Sequence, residues 1–163
     1  MPSEAPMKNS GGVSLTEDAS KEISRHAEET FPEECCGIVV SDGSTDRPLR
    51  LKNRQNELHA ADPKEHPRDA TIAYSIDELQ LESIRREADK IGFALKAFYH
   101  SHPNHDAYFS AEDRAGATPF GEPTYPEAAQ IVVSVYERTV KAIKAFKWCD
   151  ETRDFIEVPL NNI

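Results

Sequence analysis

The feature that most constrains this chain is a pair of histidines, His100 and His102, at the end of an apolar run. Residues 94–99 are apolar or aromatic except for one lysine, and the run leads through the histidines to Pro103, which is the pattern of a short β-strand. Successive side chains of a strand point to opposite faces, so residues two apart share a face. We therefore expect both imidazoles to reach a single metal ion.

A short helix is predicted soon after this strand. Residues 104–109 are predicted to form a loop, Ser110 is a typical helix N-cap, and acidic residues follow it in the first turn. An oxygen ligand can return to the histidines from such a helix. Zinc held by two histidines and one carboxylate keeps a fourth tetrahedral position for water, which is the arrangement of a catalytic site. The pattern predicts one Zn²⁺ ion with a bound water.

Each half of this pattern also has a simpler interpretation. A His-x-His pair is often only a polar strand end, and Ser110-x-x-Asp113 is close to a capping box, in which the acid bonds back to the cap residue. The two halves together, in the order strand, loop and helix, favour the metal site.

The same residues resemble the motif of the JAMM, or MPN, metalloproteases. That motif begins with an upstream glutamate, which is followed by His-x-His-Pro. A serine stands seven residues after the proline, and an aspartate stands three residues after the serine. Members tend to have Pro-x-Glu-x-Cys-Gly before the first core strand, and residues 32–37 are Pro-Glu-Glu-Cys-Cys-Gly. The resemblance extends over residues 15–158. It implies the JAMM/MPN (cytidine-deaminase-like) fold, a mixed, curved β-sheet flanked by helices.

The resemblance also implies a role for each motif residue. His100, His102 and Asp113 would be the metal ligands, and Glu34 would be the general base that takes a proton from water and delivers it to the leaving amine. The metal lowers the pKa of its bound water to about 7. Ser110 would donate a hydrogen bond to the oxyanion, a role in which one lost donor costs about a hundredfold in rate.

The choice between Glu33 and Glu34 is not made by the local sequence. A solvated acid at a boundary between helix and strand is the default for either residue in an acidic chain. The register of the family motif selects Glu34, and alternation along a strand would send its neighbour to the opposite face.

Length and composition indicate one domain. The 163 residues suit a single folded unit, which we expect over residues 14–163, after a disordered N-terminal tail over residues 1–13. The net charge of −10 argues against nucleic acid and anionic membrane surfaces as partners. No stretch is long and apolar enough to span a bilayer, and the start lacks the apolar segment of a signal peptide. We expect a soluble, cytoplasmic protein. The sequence does not determine its oligomeric state.

Predicted elements alternate in a way that fits an α/β (α+β) layer fold, with a mixed sheet covered by helices. A first helix begins at Ser14 and ends before Pro32, and a second, capped by Ser75, has the apolar stripe Leu81, Ile84, Ala88 and Ile91. Strands are predicted at about 36–41, 48–53, 94–99, 131–136, 140–148 and 155–158. Residues 53–70 are polar and broken by prolines, so we expect a long loop, which the resemblance implies can lie beside a substrate groove.

These observations predict a zinc-dependent peptidase or isopeptidase without a covalent intermediate. Resemblance to small prokaryotic members implies cleavage at the Gly-Gly tail of a ubiquitin-like or sulfur-carrier protein, which could bind as an added strand. One alternative is a non-catalytic scaffold, because some members lack the ligands, but all five motif residues are present here.

Two other chemistries fit the sequence less well. A cysteine nucleophile near His100 is conceivable, but Cys36 opens an apolar run, which favours a buried, inert thiol. The three cysteines form no Cys-x-x-Cys pair, and we expect all of them to be thiols. A deaminase site would need His-x-Glu followed by Pro-Cys-x-x-Cys, and neither occurs.

Overall fold

The structure, a computed structural model, describes residues 11–163. Most of the predicted tail over residues 1–13 lies outside the described residues. At its end, Val13 belongs to the first strand and is 5% exposed. Within the described residues, no helix has both the length and the apolar character needed to cross a bilayer.

The described residues form eight strands and four helices. The strands are β1 (Val13–Leu15), β2 (Cys36–Ser41), β3 (Asp46–Leu51), β4 (Ala94–Pro103), β5 (Ala129–Tyr136), β6 (Thr139–Cys149), β7 (Asp154–Val158) and β8 (Leu160–Asn162). The helices are α1 (Glu17–Thr30), α2 (Gln55–Ala61), α3 (Glu78–Lys90) and α4 (Ala111–Ala117).

Six of the strands form one mixed sheet in the order β3-β2-β4-β5-β6-β7. The β4–β5 pair is parallel and the other neighbours are antiparallel. Strands β1 and β8 pair separately and in parallel, Val13 opposite Leu160. The predicted α/β (α+β) layer fold, a mixed sheet flanked by helices, is confirmed.

Helices cover both faces of this sheet. Ile23 of α1 packs in a cluster with Val39 and Tyr99, whereas Leu81 of α3 packs on the opposite face with Phe98. Side chains alternate along β4, so His100 and His102 continue the face of Phe98. The histidines therefore lie at the end of a central strand, on the α3 side of the sheet.

Both predicted helix starts are displaced along the chain. Helix α1 is capped by Thr16, whose hydroxyl accepts the N–H of Ala19 at 3.3 Å, because the parallel pairing with β8 takes Ser14 into β1. Helix α3 is capped by Asp77 rather than Ser75, with Leu79 N–H donating to its carboxylate at 2.9 Å. In each case a second capping residue lay close to the predicted one.

Three further expectations need correction. The predicted loop over residues 53–70 contains α2, a short helix that buries only Gln55. Ile91 ends α3 with 61% of its surface exposed, so the apolar stripe stops at Ala88. Strand β4 extends beyond residue 99 to Pro103, because residues 97–103 pair in parallel with β5.

Candidate metal centre

Three side chains from two elements converge at the end of β4. Nε2 of His100 lies 3.1 Å from Nε2 of His102, and Oδ2 of Asp113 lies 3.0 Å from the first and 3.1 Å from the second. Their exposed fractions are 0%, 6% and 9%. Three potential ligand atoms thus form a nearly equilateral, buried triangle.

This triangle fits one small metal ion. Ligand atoms that each lie 2.0–2.1 Å from a tetrahedral zinc are about 3.3 Å apart, within a few tenths of an ångström of the separations found here. Imidazole nitrogen and carboxylate oxygen are also ligands that zinc accepts. Among the described residues, His100, His102 and Asp113 form the group of three that could hold a metal ion.

The electrostatics of the triangle keep Asp113 anionic. Burial raises the pKa of Asp113, but the two histidines and the Ser110 backbone N–H outweigh burial and hold that pKa well below its usual range. Burial lowers the pKa of His100 despite the nearby carboxylate. Burial also acts to lower the pKa of His102, but bonds to Asp113 and to the Asp106 carbonyl leave it raised.

The rings of the two histidines are held differently. His102 Nδ1 bonds to the carbonyl of Asp106 at 3.0 Å, which directs Nε2 toward the triangle. His100 Nδ1 is buried and has no hydrogen-bond partner among the described residues. Instead, the Tyr74 ring stacks on His100 with centroids 4.4 Å apart and planes 24° apart.

Helix α4 presents Asp113 through a complete capping box. The Ser110 hydroxyl accepts the N–H of Asp113 at 3.0 Å, and Oδ2 of Asp113 accepts the N–H of Ser110 at 3.1 Å. The sequence offered a capping box and a metal ligand as alternative interpretations. In the structure, Asp113 does both: its carboxylate completes the capping box with Ser110 and also faces the two histidines.

Glu34 lies in the cavity beside this triangle. The cavity, of about 230 Å³, is also lined by His102, Ser110 and Asp113. Glu34 is 5% exposed, and its Oε1 has no hydrogen-bond partner among the described residues. Burial raises its pKa to about 8, although His102 acts in the opposite direction.

Glu33 is directed elsewhere. Its carboxylate accepts a hydrogen bond from the Asn56 amide at 2.6 Å, in an exposed position. Of the two adjacent glutamates, the structure therefore brings Glu34 to the site, together with the other four residues predicted from the sequence.

None of the three cysteines lines this cavity. Burial raises the pKa of Cys35 to about 12 and also raises that of Cys36, whose Sγ lies 3.8 Å from the Leu51 carbonyl oxygen. Thiols that resist ionisation are poor nucleophiles. The arrangement gives no support to cysteine-protease chemistry.

Sequence reasoning missed several groups that surround the site. No sequence pattern assigned a role to Tyr74 or Asn53. Arg68 and Glu112 join the segment before α3 to α4 through an exposed ion pair of 2.6 Å. A second cavity, of about 250 Å³, is also lined by Asp113, together with the aromatic residues Tyr74, Phe98 and Tyr125.

The fold and the site together place this protein in the class of mixed α+β domains of the JAB/MPN type. Its candidate metal ligands lie at the end of a central strand. The chain belongs to the Prok-JAB family, the prokaryotic homologs of the JAB domain, whose family model matches residues 16–148.

Individual relatives agree with this membership. The desampylase of Haloferax volcanii is 33% identical over 113 residues, which are 67% of this chain and 75% of the relative. A solution structure of a Desulfitobacterium hafniense protein superposes with a TM-score of 0.66 at 21% identity, covering 93% of this chain and 94% of the other. A Salinibacter ruber protein gives 0.61 at 21% identity, with 93% and 91% covered. These two structures show the shared fold alone.

Proposed function

We propose that this protein is a zinc-dependent isopeptidase or peptidase that cleaves at the C-terminal Gly-Gly tail of a ubiquitin-like or sulfur-carrier protein. The observation that carries the proposal is the convergence of His100, His102 and Asp113 within 3.0–3.1 Å of one another. The relative named desampylase supports an isopeptidase acting on ubiquitin-like modifiers.

The side chains divide the work of hydrolysis. His100, His102 and Asp113 would bind one zinc ion through the three converging atoms. When bound, zinc lowers the pKa of a coordinated water to about 7 and polarises a substrate carbonyl. The anionic Asp113 offsets part of the positive charge at the centre, as a carboxylate ligand does.

Glu34 is the proposed general base and acid. It lines the same cavity as the triangle, and its unpartnered Oε1 is available to accept a proton from water. A cation nearby favours the ionised carboxylate, so Glu34 ionises more readily in the metal-loaded protein than its pKa of about 8 indicates. The same carboxyl then delivers the proton to the leaving amine.

Ser110 is the proposed donor to the oxyanion. Its oxygen already accepts the N–H of Asp113, and a hydroxyl that accepts one bond retains its own O–H to donate. Because Ser110 lines the cavity with Glu34, that O–H can face the developing negative charge. The capping role and the proposed catalytic role use different parts of the same hydroxyl.

The rim of the cavity supports a substrate with small residues at the cleaved bond. Ile72 and Tyr108 line the cavity and are 50% and 51% exposed, and the Arg68–Glu112 ion pair lies at the same mouth. Glycines carry no side chain that would collide with such a rim. An extended Gly-Gly tail is therefore a suitable substrate segment.

The test combines metal analysis with cleavage assays. Protein purified without chelator is analysed for zinc and incubated with a carrier protein joined through Gly-Gly to a second protein, and in parallel with the same conjugate ending in Val-Val. We expect bound zinc, cleavage of the Gly-Gly conjugate alone, and loss of cleavage with chelator. If zinc is bound and unrelated peptides are cut while every Gly-Gly conjugate stays intact, the substrate class is wrong. Absence of zinc would favour the scaffold alternative.

A further inference from the structure

The ring of His100 lacks the contact that normally orients a histidine ligand. Such histidines almost always donate their second ring N–H to an oxygen, as His102 is placed to do with the Asp106 carbonyl. His100 is fully buried and its Nδ1 is unpartnered among the described residues. Besides the two other members of the triangle, the ring contacts Tyr74, which stacks on it with centroids 4.4 Å apart. We therefore expect Tyr74 to help orient His100.

Tyr74 is in turn held by hydrogen bonds to its two chain neighbours. The Asn53 amide nitrogen donates to the carbonyl of Ala73 at 3.1 Å, and the Asn53 amide oxygen accepts the N–H of Ser75 at 3.1 Å. Arg54 N–H also donates to the Ser75 carbonyl at 2.9 Å. The backbone on both sides of Tyr74 is thus fixed, mainly by one side chain.

The same side chain also holds the residue proposed as the general base. Asn53 Nδ2 donates to the carbonyl of Glu34 at 3.0 Å, and Asn53 Oδ1 accepts the N–H of Gln55 at 3.0 Å. Two carbonyls face the amide nitrogen and two N–H groups face the amide oxygen. This uses two donors and two acceptors of the amide, and it allows only one orientation of the group.

We propose that Asn53 is a positioning residue of the metal centre, which fixes Glu34 and, through Tyr74, the ring of His100. Asn53 acts through these residues and is not itself a ligand. The inference rests on the proposed function, because it assigns Asn53 to the site that binds the metal and activates water. It predicts that one amide controls both metal affinity and turnover.

The experiment replaces Asn53 with alanine and with aspartate. Asn53→Ala removes all four bonds, and Asn53→Asp retains the acceptor but loses both donations, to Glu34 and to Ala73. Asn162→Ala and Asn162→Asp are the matched controls, because they make the same chemical changes at an exposed position of β8, where the amide oxygen accepts a bond from the Ser20 hydroxyl at 2.8 Å. The measurements are the zinc Kd by chelator competition, kcat and KM at saturating zinc, and the thermal midpoint.

We expect Asn53→Ala to raise the zinc Kd by about tenfold or more, the range typical of lost outer contacts to a metal site. The zinc measurement is taken from the alanine variant, because an added aspartate would itself attract cations. Both Asn53 variants should lower kcat by at least about tenfold with KM within about threefold, the pattern of an interaction made in the transition state. Asn162→Ala and Asn162→Asp should match wild type.

A lower thermal midpoint in Asn53→Ala with Kd and kcat equal to those of Asn162→Ala would overturn the proposal. If neither Asn53 variant folds, the Tyr74 pair decides. Tyr74→Phe should keep the stacked ring and the zinc affinity, whereas Tyr74→Leu should raise the zinc Kd by about tenfold. Equal zinc affinities of the two variants would overturn the proposal.

The wild-type protein separates this inference from the proposed function. Wild type that binds no zinc would contradict both. Wild type that binds zinc but cuts no conjugate would sink the proposed substrate, and the zinc measurements would still decide the role of Asn53.

Discussion

Asp113 bonds to the backbone of Ser110 through Oδ2, the same oxygen that faces both histidines. The start of α4 therefore fixes the carboxylate before any ion is present. A ligand held in this way loses little side-chain freedom on binding metal, which favours affinity. The cap and the candidate metal site are parts of one structure, and substitutions here should affect both.

Replacing Asp113 should remove the metal. Asp113→Ala deletes the only carboxylate of the triangle, so we expect zinc content to fall from one ion per chain to a small fraction, with loss of turnover. Zinc analysis of the purified variant measures this. Glu112→Ala is the control, because this neighbouring acid is exposed and pairs with Arg68 instead. Full zinc occupancy in Asp113→Ala would show that the ion binds elsewhere.

Replacing Glu34 should separate binding from turnover. Glu34→Gln keeps the shape of the side chain but cannot accept a proton from water, so we expect normal zinc content and a kcat lower by about 10²–10⁴-fold. Glu33→Gln, at the adjacent residue that bonds Asn56, should retain kcat. Normal turnover by Glu34→Gln would remove Glu34 as the general base.

Replacing Ser110 should affect both rate and stability. Ser110→Ala removes the proposed oxyanion donor and the cap of α4, so we expect kcat to fall about 10²-fold. The lost cap should lower the free energy of unfolding by about 1 kcal/mol. Thr16→Ala removes the equivalent cap of α1 and should give a similar loss of stability with unchanged kcat. Equal kcat values for the two variants would contradict the catalytic role.

Buried His26 should make stability depend on pH. Burial, with a smaller effect of Arg50, lowers its pKa from 6.5 to about 4, and its Nδ1 lies 2.7 Å from the Tyr99 hydroxyl. The folded state therefore keeps His26 neutral while the unfolded state takes up a proton as pH falls below 6.5. The contribution of neutral His26 to the free energy of unfolding is fully present above pH 6.5, the pKa of His26 in the unfolded state. It is lost as the pH falls toward 4, by up to about 1.4 kcal/mol per pH unit and about 3 kcal/mol in all.

The check is urea unfolding of wild type and His26→Gln at several pH values between about 4 and 7. The difference in unfolding free energy between the two should change with pH, because the acidic groups titrate alike in both. His105→Gln, at an exposed position, should follow wild type throughout. Parallel curves for wild type and His26→Gln would contradict the lowered pKa.

Adding a methyl group at Gly37 should destabilise the sheet. A Cβ there would collide with the Tyr99 hydroxyl and lie 2.5 Å from the Leu49 carbonyl oxygen, a backbone atom that cannot turn aside. We expect Gly37→Ala to lower the free energy of unfolding by about 1–3 kcal/mol. Gly116→Ala, in α4 with nothing within 4 Å of the added carbon, should raise it by about 0.5–1 kcal/mol. Denaturant titration of both variants tests the opposite signs.

The histidines and Asp113 could be found from sequence because local rules place them. The period of a strand puts His100 and His102 on one face, and a helix cap brings back an acid within a few residues. Glu34 is joined to them only by the pairing of β2 with β4, Cys36 opposite His100. No local pattern contains that contact, so its assignment needed the register of the family motif.

Other features were missed because their causes are not local. Strands β1 and β8 have three residues each, too few for any periodicity to appear. Helix α2 buries a single residue and so lacks an apolar stripe. The four bonds of Asn53 join residues 34, 55, 73 and 75, a contact set that no reading of neighbouring residues reveals.

The pairing of β1 with β8 has a consequence for the order of folding. Val13 meets Leu160 across almost the whole described chain, and the strand has no other hydrogen-bonded strand neighbour in that part. Closing so long a loop is entropically slow, and on the ribosome β1 must wait until its partner has been synthesised. We expect β1 and β8 to pair late in folding, after the six-stranded sheet has assembled.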